Sequence, residues 1–347
     1  MSIPLIDRPA WLACGAAALL FGSATPASKL LLDHVPPITL AGLLYLGAAL
    51  VAGPVVAMQP RPRPSRADFA KVIAAVVIGG ALGPALLLGG LHSTSASSTS
   101  MLLNLELVAT VLLAWLVFGE HIGRRGASGL AAITVAGVLL AGTGSGLSIG
   151  SVLIVSACAC WGLDNNLTAT ATGISPAQIT LAKGLVAGTV NLSIGLLVEH
   201  PHLRPTAVGW AMGVGALGYG ASIILWVSGA RRLGAARSQG IFATAPFVGV
   251  ALGWIITSDS VTSAQLIALL PMAIGVILVV TSAHDHEHRH AEQIHSHRHR
   301  HDDGHHDHVH DPPVSGWHAH QHEHEHLVHA HPHVSDEFHR HDHSDQA

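Results

Sequence analysis

"VPPITLAGLLYLGAAL" (35–50) and "ISPAQITLAKGLVAGTV" (174–190) share Ile-Thr-Leu-Ala, at 38–41 and again at 179–182, a spacing of 141. Each stretch starts at a proline and runs on as an almost unbroken apolar segment. Upstream, Phe21-Gly22 matches Trp161-Gly162 at a spacing of 140, and downstream "FGEHIG" (118–123) matches "TSDSVT" (257–262) at 139. Sequences rich in Leu, Ala and Gly produce chance matches, but a register kept over three landmarks argues for a duplicated unit.

The surrounding composition says what kind of unit it is. Only 11% of the residues are charged and 49% are hydrophobic, against roughly 25% charged in a soluble domain. The charge is also unevenly placed. Of the 28 histidines and 21 acidic residues, 23 and 13 lie from His284 onward, so the preceding body carries only eight carboxylates. The expected fold is therefore an all-α integral membrane body followed by a soluble tail.

A helix needs about 20 apolar residues to cross the hydrocarbon core. Ten runs qualify as candidates: 11–32, 38–58, 68–90, 95–118, 127–143, 150–171, 177–198, 207–229, 236–257 and 263–282. The expected organisation is a cytoplasmic N-terminus at 1–10, a first five-helix repeat at 11–143, a second at 150–282, and a disordered histidine-rich tail at 283–347. Because five is odd, the second repeat enters the membrane upside down, the inverted-repeat architecture of many secondary transporters. The first run after Arg8 could pass for a signal peptide, but its internal twin around Trp161 argues against that. Abundant glycine, 37 in all, suits close helix approach in lipid. The three cysteines (Cys14, Cys158, Cys160) all lie in apolar runs, which excludes a disulfide framework.

Orientation follows from the basic residues of the loops. With the N-terminus inside, the inner loops hold Arg8, Arg61, Arg63, Arg66, Lys71, Arg124, Arg125, Arg231 and Arg232, and the outer loops hold Arg204 alone. The chain reads as multi-pass in the cell membrane (the inner membrane of a bacterium-like cell), with both termini cytoplasmic.

The segments "LLFGSATPASKLLL", "TSASSTSMLLNLELVATVLLAWLVFGEHI" and "LGAARSQGIFATAPFVGVALGWIITSDSV", the last with Pro246 in mid-helix, resemble the EamA-type branch of the drug/metabolite transporter superfamily. The resemblance spans residue 11 to about 282 and not the tail. It implies a ten-helix carrier with a central cavity and alternating access. The family often has a basic residue early in the second span; here Gly42 stands there, and Lys183 occupies the matching place in the second half.

Ionisable groups inside spans usually face a cavity or a partner. Lys29 lies near the outer end of its span and reads as a snorkelling lysine. Glu106 lies mid-span without a basic neighbour in sequence, which makes it a candidate proton carrier or a neutral hydrogen-bonded glutamate. Asp164 and Lys183 fall at similar depth on consecutive antiparallel spans, so an ion pair is geometrically allowed. Asn165, Asn166 and Thr168 enrich that region. Asn104, with its "STSASSTS" run, and Gln239 with Thr244 are further candidates for a polar path, although Ser and Thr also serve as interhelical glue. Trp161, Trp226 and Trp254 are candidate cavity walls or interface anchors. Cys158 and Cys160, two apart, point to different helix faces. The candidate solute site is thus Asp164, Asn165, Asn166, Lys183, Glu106, Asn104 and Gln239.

No catalytic constellation is present. The chain lacks a GxxxxGK[ST] phosphate loop and an HExxH motif, which argues against an ATP-driven pump and a zinc protease. Nothing calls for an enzyme, a required cofactor or a nucleic-acid partner.

The tail alternates His with Asp, Glu, Arg and small residues, and Trp317 and Phe338 are its only aromatics. Imidazole is the commonest metal ligand and suits zinc, nickel, cobalt and copper. His284, His286, His288, His290, His295, His297, His299, His301, His305, His306, His308 and His310 are the candidate metal ligands, in many weak, exchangeable sites. Protonation of the tail, with attachment to the anionic inner leaflet, is a second reading. The expected function is a secondary transporter exporting a small solute across the bilayer. The alternatives are a divalent-metal exporter (Ni, Co or Zn) and a membrane-anchored metal sensor or store.

Overall fold

The computed structural model describes residues 8–59, 64–118, 122–141, 148–171, 173–233, 238, 241–281, 284–290, 293–299, 318–324 and 327–333. The chain divides into a unit at Met1–Ser282 and a second at Ala283–Ala347.

In the first unit every described element is helical. The helices are α1 (Arg8–Leu31), α2 (Pro37–Ala57), α3 (Arg66–His92), α4 (Ala96–Leu102 continued by Leu105–Phe118), α5 (Arg124–Ala141), α6 (Ile149–Ala169), α7 (Pro176–Val198), α8 (Pro205–Gly229), α9 (Ala245–Ile256) and α10 (Ser263–Val280). Seven of them, α1 to α4, α7, α8 and α10, are long and apolar enough to cross a membrane. The other three, α5, α6 and α9, overlap the remaining expected runs but are not long and apolar enough by the same measure. In α6 the Asp164-Asn165-Asn166 run dilutes the hydropathy, and α9 is short because a turn interrupts the run before it. Large side chains such as Leu116, Leu197, Leu270 and Ile255 are exposed on the outside of the unit. A bilayer would cover such a surface.

Starts and ends follow local chemistry. Pro36-Pro37, Pro176 and Pro205 open helices, where a missing N–H costs nothing. Ser65, Ser175 and Thr262 form capping boxes with Asp68, Gln178 and Gln265.

Two departures from regular α-helix occur in pairs. A π segment interrupts α3 at Val76–Leu82 and α8 at Ala216–Ala221. A turn breaks α4 at Leu103-Asn104, and a matching turn at Ala243-Thr244 precedes α9. Even the hydrogen bonds correspond: Asn104 N donates to Met101 O and Thr244 N to Ile241 O, while Leu107 N donates to Asn104 O and Phe247 N to Thr244 O. All these pairs are 140 residues apart.

Packing has the same exchange symmetry. Helix α1 packs on α8 and α9, and α6 packs on α3 and α4; α2 packs against α7, and α5 against α10. Gly22 and Gly162, also 140 apart, sit at equivalent crossings. A Cβ on Gly22 would overlap Ala245 and Val248, and one on Gly162 would overlap Ala109 and Thr110. Helix ends are tied reciprocally as well. Glu199, just past α7, accepts from Ile38 N (2.9 Å), Thr39 N (2.8 Å) and Thr39 Oγ1 (2.7 Å) at the start of α2. Gln59, just past α2, accepts from Ser175 Oγ (2.5 Å) at the start of α7.

The expected disorder of the tail is corrected in part. Four strands, β1 (His284–His290), β2 (Gln293–His299), β3 (His318–His324) and β4 (Leu327–His333), form two antiparallel pairs, β1 with β4 and β2 with β3. The register places His284 opposite His333, and His295 opposite His322. The physical reason is period: His-x-His alternation repeats every two residues, as a strand does. His301, His305, His306, His308 and His310 lie outside the described residues.

Candidate functional site

The ion pair expected from antiparallel spacing is present. Lys183 Nζ lies 2.6 Å from Asp164 Oδ1 and 2.5 Å from Oδ2, with both side chains largely withdrawn from solvent. Lys183 is the first residue of a π segment, Lys183–Ala187, in α7. Asp164 has room because it faces Gly79 in the π segment of α3; any Cβ at Gly79 would overlap the carboxylate. The carbonyl of Gly79 accepts from Trp161 Nε1 (2.9 Å) and Tyr45 Oη (3.2 Å). One small residue thus makes space for the acid and ties α2 and α6 to α3.

The polar patch continues along α6. Asn165 Nδ2 donates to Glu106 Oε1 (2.9 Å) and Thr110 Oγ1 (3.2 Å). Asn166 Nδ2 donates to the carbonyls of Thr110 (3.0 Å) and Gly162 (2.8 Å). Glu106 sits in the first turn after the break in α4, where the helix dipole favours a carboxylate. Among the described residues no Lys, Arg or His stands within ion-pair distance of Glu106, whereas Asp164 is matched by Lys183. Glu106 is half-buried and Asn165 exposed, so this end of the patch is accessible.

The structure therefore brings together Glu106, Asp164, Asn165, Asn166 and Lys183. It does not add Asn104, whose amide is buried at the helix break and donates to Met101 O (3.1 Å) and Met272 Sδ (3.2 Å). Gln239 lies outside the described residues. Lys29 does not reach for solvent as a snorkelling lysine would; it donates to the carbonyls of Leu91 (2.7 Å), His92 (3.1 Å) and Thr94 (2.8 Å) at the end of α3. The serine-rich run is structural at its start, where Ser97 N and Oγ donate to Asp259 (2.8 and 2.9 Å) and Gln265 donates to Ser97 and Ser98. Cys158 is buried and Cys160 half-buried, both free. Among the described residues no group of three or more His, Cys, Asp or Glu is placed to hold a metal.

Sequence reading missed Gly79, Thr110 and, apart from Trp226, a row of aromatic rings. Tyr45 and Tyr219 lie 5.9 Å apart by centroid, Tyr219 and Phe21 5.9 Å, Phe21 and Phe242 5.2 Å, and Phe242 and Trp226 6.0 Å. These rings come from α1, α2, α8 and the segment before α9. The repeat register was the available signal: Phe21 corresponds to Trp161, and Tyr219 to Gly79.

Comparison with known proteins agrees with this architecture. A solved crystal structure aligns with a TM-score of 0.57 over 78% of this chain and 98% of that one, at 17% identity, which speaks to the fold alone. An "Uncharacterized transporter" of Methanothermobacter thermautotrophicus is 24% identical over 286 residues, spanning 76% of this chain and 83% of that protein. The profile of the EamA-like transporter family matches twice, over residues 9–143 and 148–281. The chain is a multi-pass membrane protein that belongs to the EamA-like transporter family.

Proposed function

We propose that the protein is a secondary carrier that moves a small solute outward by alternating access. The observation that carries this reading is the polar cluster of Glu106, Asn165 and the Asp164–Lys183 pair, accessible at its Glu106–Asn165 end and set where helices of the two halves cross. Ion pairs and amides at mid-span are costly in lipid unless they line a path. The body is read as ten spans in two inverted repeats, with both termini cytoplasmic. Supporting it are the 140-residue spacing of the π segments and helix breaks and the nine-to-one loop bias of basic residues. The reciprocal ties at Glu199 and Gln59 provide one latch near each membrane face, and alternating access would release them in turn.

Paired spin labels at Asp33 and His202, and at Met58 and Gly173, test the carrier. Two distance populations at each end, changing in opposite senses, are expected. A single fixed distance at both ends would sink the reading.

The tail supports a second element, a cytosolic store of divalent zinc, nickel, cobalt or copper on its histidines. Metal as the cargo itself is the lesser reading, because it draws support from the tail and none from the described body residues. Inside-out vesicles carrying a metal-sensitive dye separate the two. Metal uptake by full-length protein that weakens in a chain ending at Ala283 would make metal the cargo. Metal bound by the tail without uptake fits the solute carrier.

A further inference from the structure

The inference deepens the carrier reading and rests on it for the access of solute to the site. It starts from a charge count. Within the cluster Lys183 is engaged on both oxygens by Asp164. That leaves Glu106 as the one carboxylate of the cluster without an ion-pair partner among the described residues, its Oε1 held by a neutral amide. With its carboxylate ionised, the site carries one net negative charge.

Beside the cluster lies a row of aromatic rings. Tyr45 Oη donates to the carbonyl of Gly79, the residue that faces the Asp164 carboxylate, next to Asn165 and its bond to Glu106, and the ring of Tyr45 lies 5.9 Å from that of Tyr219. From Tyr219 the ring row continues through Phe21 and Phe242 to Trp226 at centroid spacings of 5.2 to 6.0 Å. All five rings are partly exposed rather than sealed in a core. Ring faces carry negative potential and attract a cation within about 6 Å, most strongly when water is excluded. A lone carboxylate beside such rings is poorly matched to an anion, which would meet like charge. A neutral solute would leave Glu106 uncompensated.

We propose that this site binds an organic cation, with Glu106 balancing its charge and the faces of Tyr45, Tyr219 and Phe21 holding its apolar body. Asn165 is a positioning residue: its amide spans Glu106 and Thr110 and fixes the carboxylate's orientation. The Asp164–Lys183 pair is charge-neutral and acts as scaffold, keeping α6 and α7 in register.

The experiment uses the full chain in lipid nanodiscs and three probes of similar size: benzyltrimethylammonium, its neutral isostere neopentylbenzene, and benzoate. Binding is read by calorimetry. The cation should bind at least tenfold more tightly than either other probe. Glu106→Gln, which keeps an oxygen for Asn165, should remove that preference by tenfold or more while unfolding at an unchanged temperature. Tyr219→Leu should weaken the cation severalfold, and Leu197→Ala on the exposed outer face should leave it unaltered. Equal binding of the isostere, preference for benzoate, or full cation binding by Glu106→Gln would overturn the assignment. Cation binding combined with fixed spin-label distances would instead preserve the site and remove the carrier reading.

Discussion

The joint where α6 crosses α3 and α4 and the joint where α1 crosses α8 and α9 share a backbone and differ in chemistry. Both place a glycine at the crossing, Gly162 in one and Gly22 in the other, against a helix that resumes after a turn. Both sit beside a π segment. Yet the first joint carries Asp164, Asn165 and Asn166 where the second has Ala24, Thr25 and Pro26, and Glu106 where the second has Pro246. Volume is exchanged along with charge. Gly79 leaves room for the Asp164 carboxylate, while Tyr219 stands at the corresponding position with its ring against Phe21 and Tyr45, and the neighbouring Gly218 packs on the smaller Ala24. In α2, Gly42 stands where α7 has Lys183. The backbone correspondence is kept at both joints, while the ionic groups stand at one and the rings of Phe21 and Tyr219 at the other.

The largest effect in breaking this contrast is expected at the ion pair. Asp164→Ala leaves Lys183 half-buried and unpaired, at a cost of up to about 3–5 kcal/mol. The buried thiols of Cys14 and Cys158 give the readout, since their reaction with a fluorogenic maleimide reports thermal unfolding in detergent. A substitution of Asp164→Asn together with Lys183→Met should recover most of that loss, because no charge is then stranded.

Next comes Gly79→Ala, which forces a methyl into the Asp164 carboxylate. Overpacking of this kind costs about 1–3 kcal/mol. The same unfolding assay should show the cost largely relieved when Asp164→Ala is added. An additive double variant would mean the two residues do not share the space.

The latches should differ too. Glu199→Ala removes a carboxylate that accepts three hydrogen bonds at the start of α2, worth about 1.5–3 kcal/mol for bonds to a charged group. Gln59→Ala removes one neutral bond to Ser175 and should cost about 0.5–1.5 kcal/mol. In spin-label terms, the first should widen the Asp33–His202 distance and the second the Met58–Gly173 distance.

The smallest effect separates two tyrosines. Tyr45→Phe loses the bond to Gly79 O and should cost about 1 kcal/mol. Tyr219→Phe keeps its ring contacts with Phe21 and Tyr45 and should stay within about 0.5 kcal/mol of the parent protein.

Much of the frame was legible in the sequence. Apolar runs of span length, the Ile-Thr-Leu-Ala repeat and the loop charges depend on period and composition, which are local properties. The Asp164–Lys183 pair was legible for a related reason: two residues on consecutive antiparallel helices meet at a depth set by counting from the shared turn. The partners of Asn104 and Lys29 were not legible, because each is satisfied across the bundle, by Met272 and by the end of α3, and such partners lie 168 and 62–65 positions away. The tail was misread because its composition argues for disorder while its alternation matches a strand.

Sequence alone therefore determined that this is a helical membrane chain with a repeated unit, and which residues carry charge within it. Tertiary structure alone decided that Gly79 makes the space for Asp164 and that Glu106 answers to Asn165 rather than to a cation. It also decided that five rings from α1, α2, α8 and the segment before α9 form a row that begins at Tyr45, whose hydroxyl is bonded to Gly79. Periodicity fixes which face a residue occupies, but contact between faces depends on crossing angle and side-chain volume, and those exist only once the helices are packed.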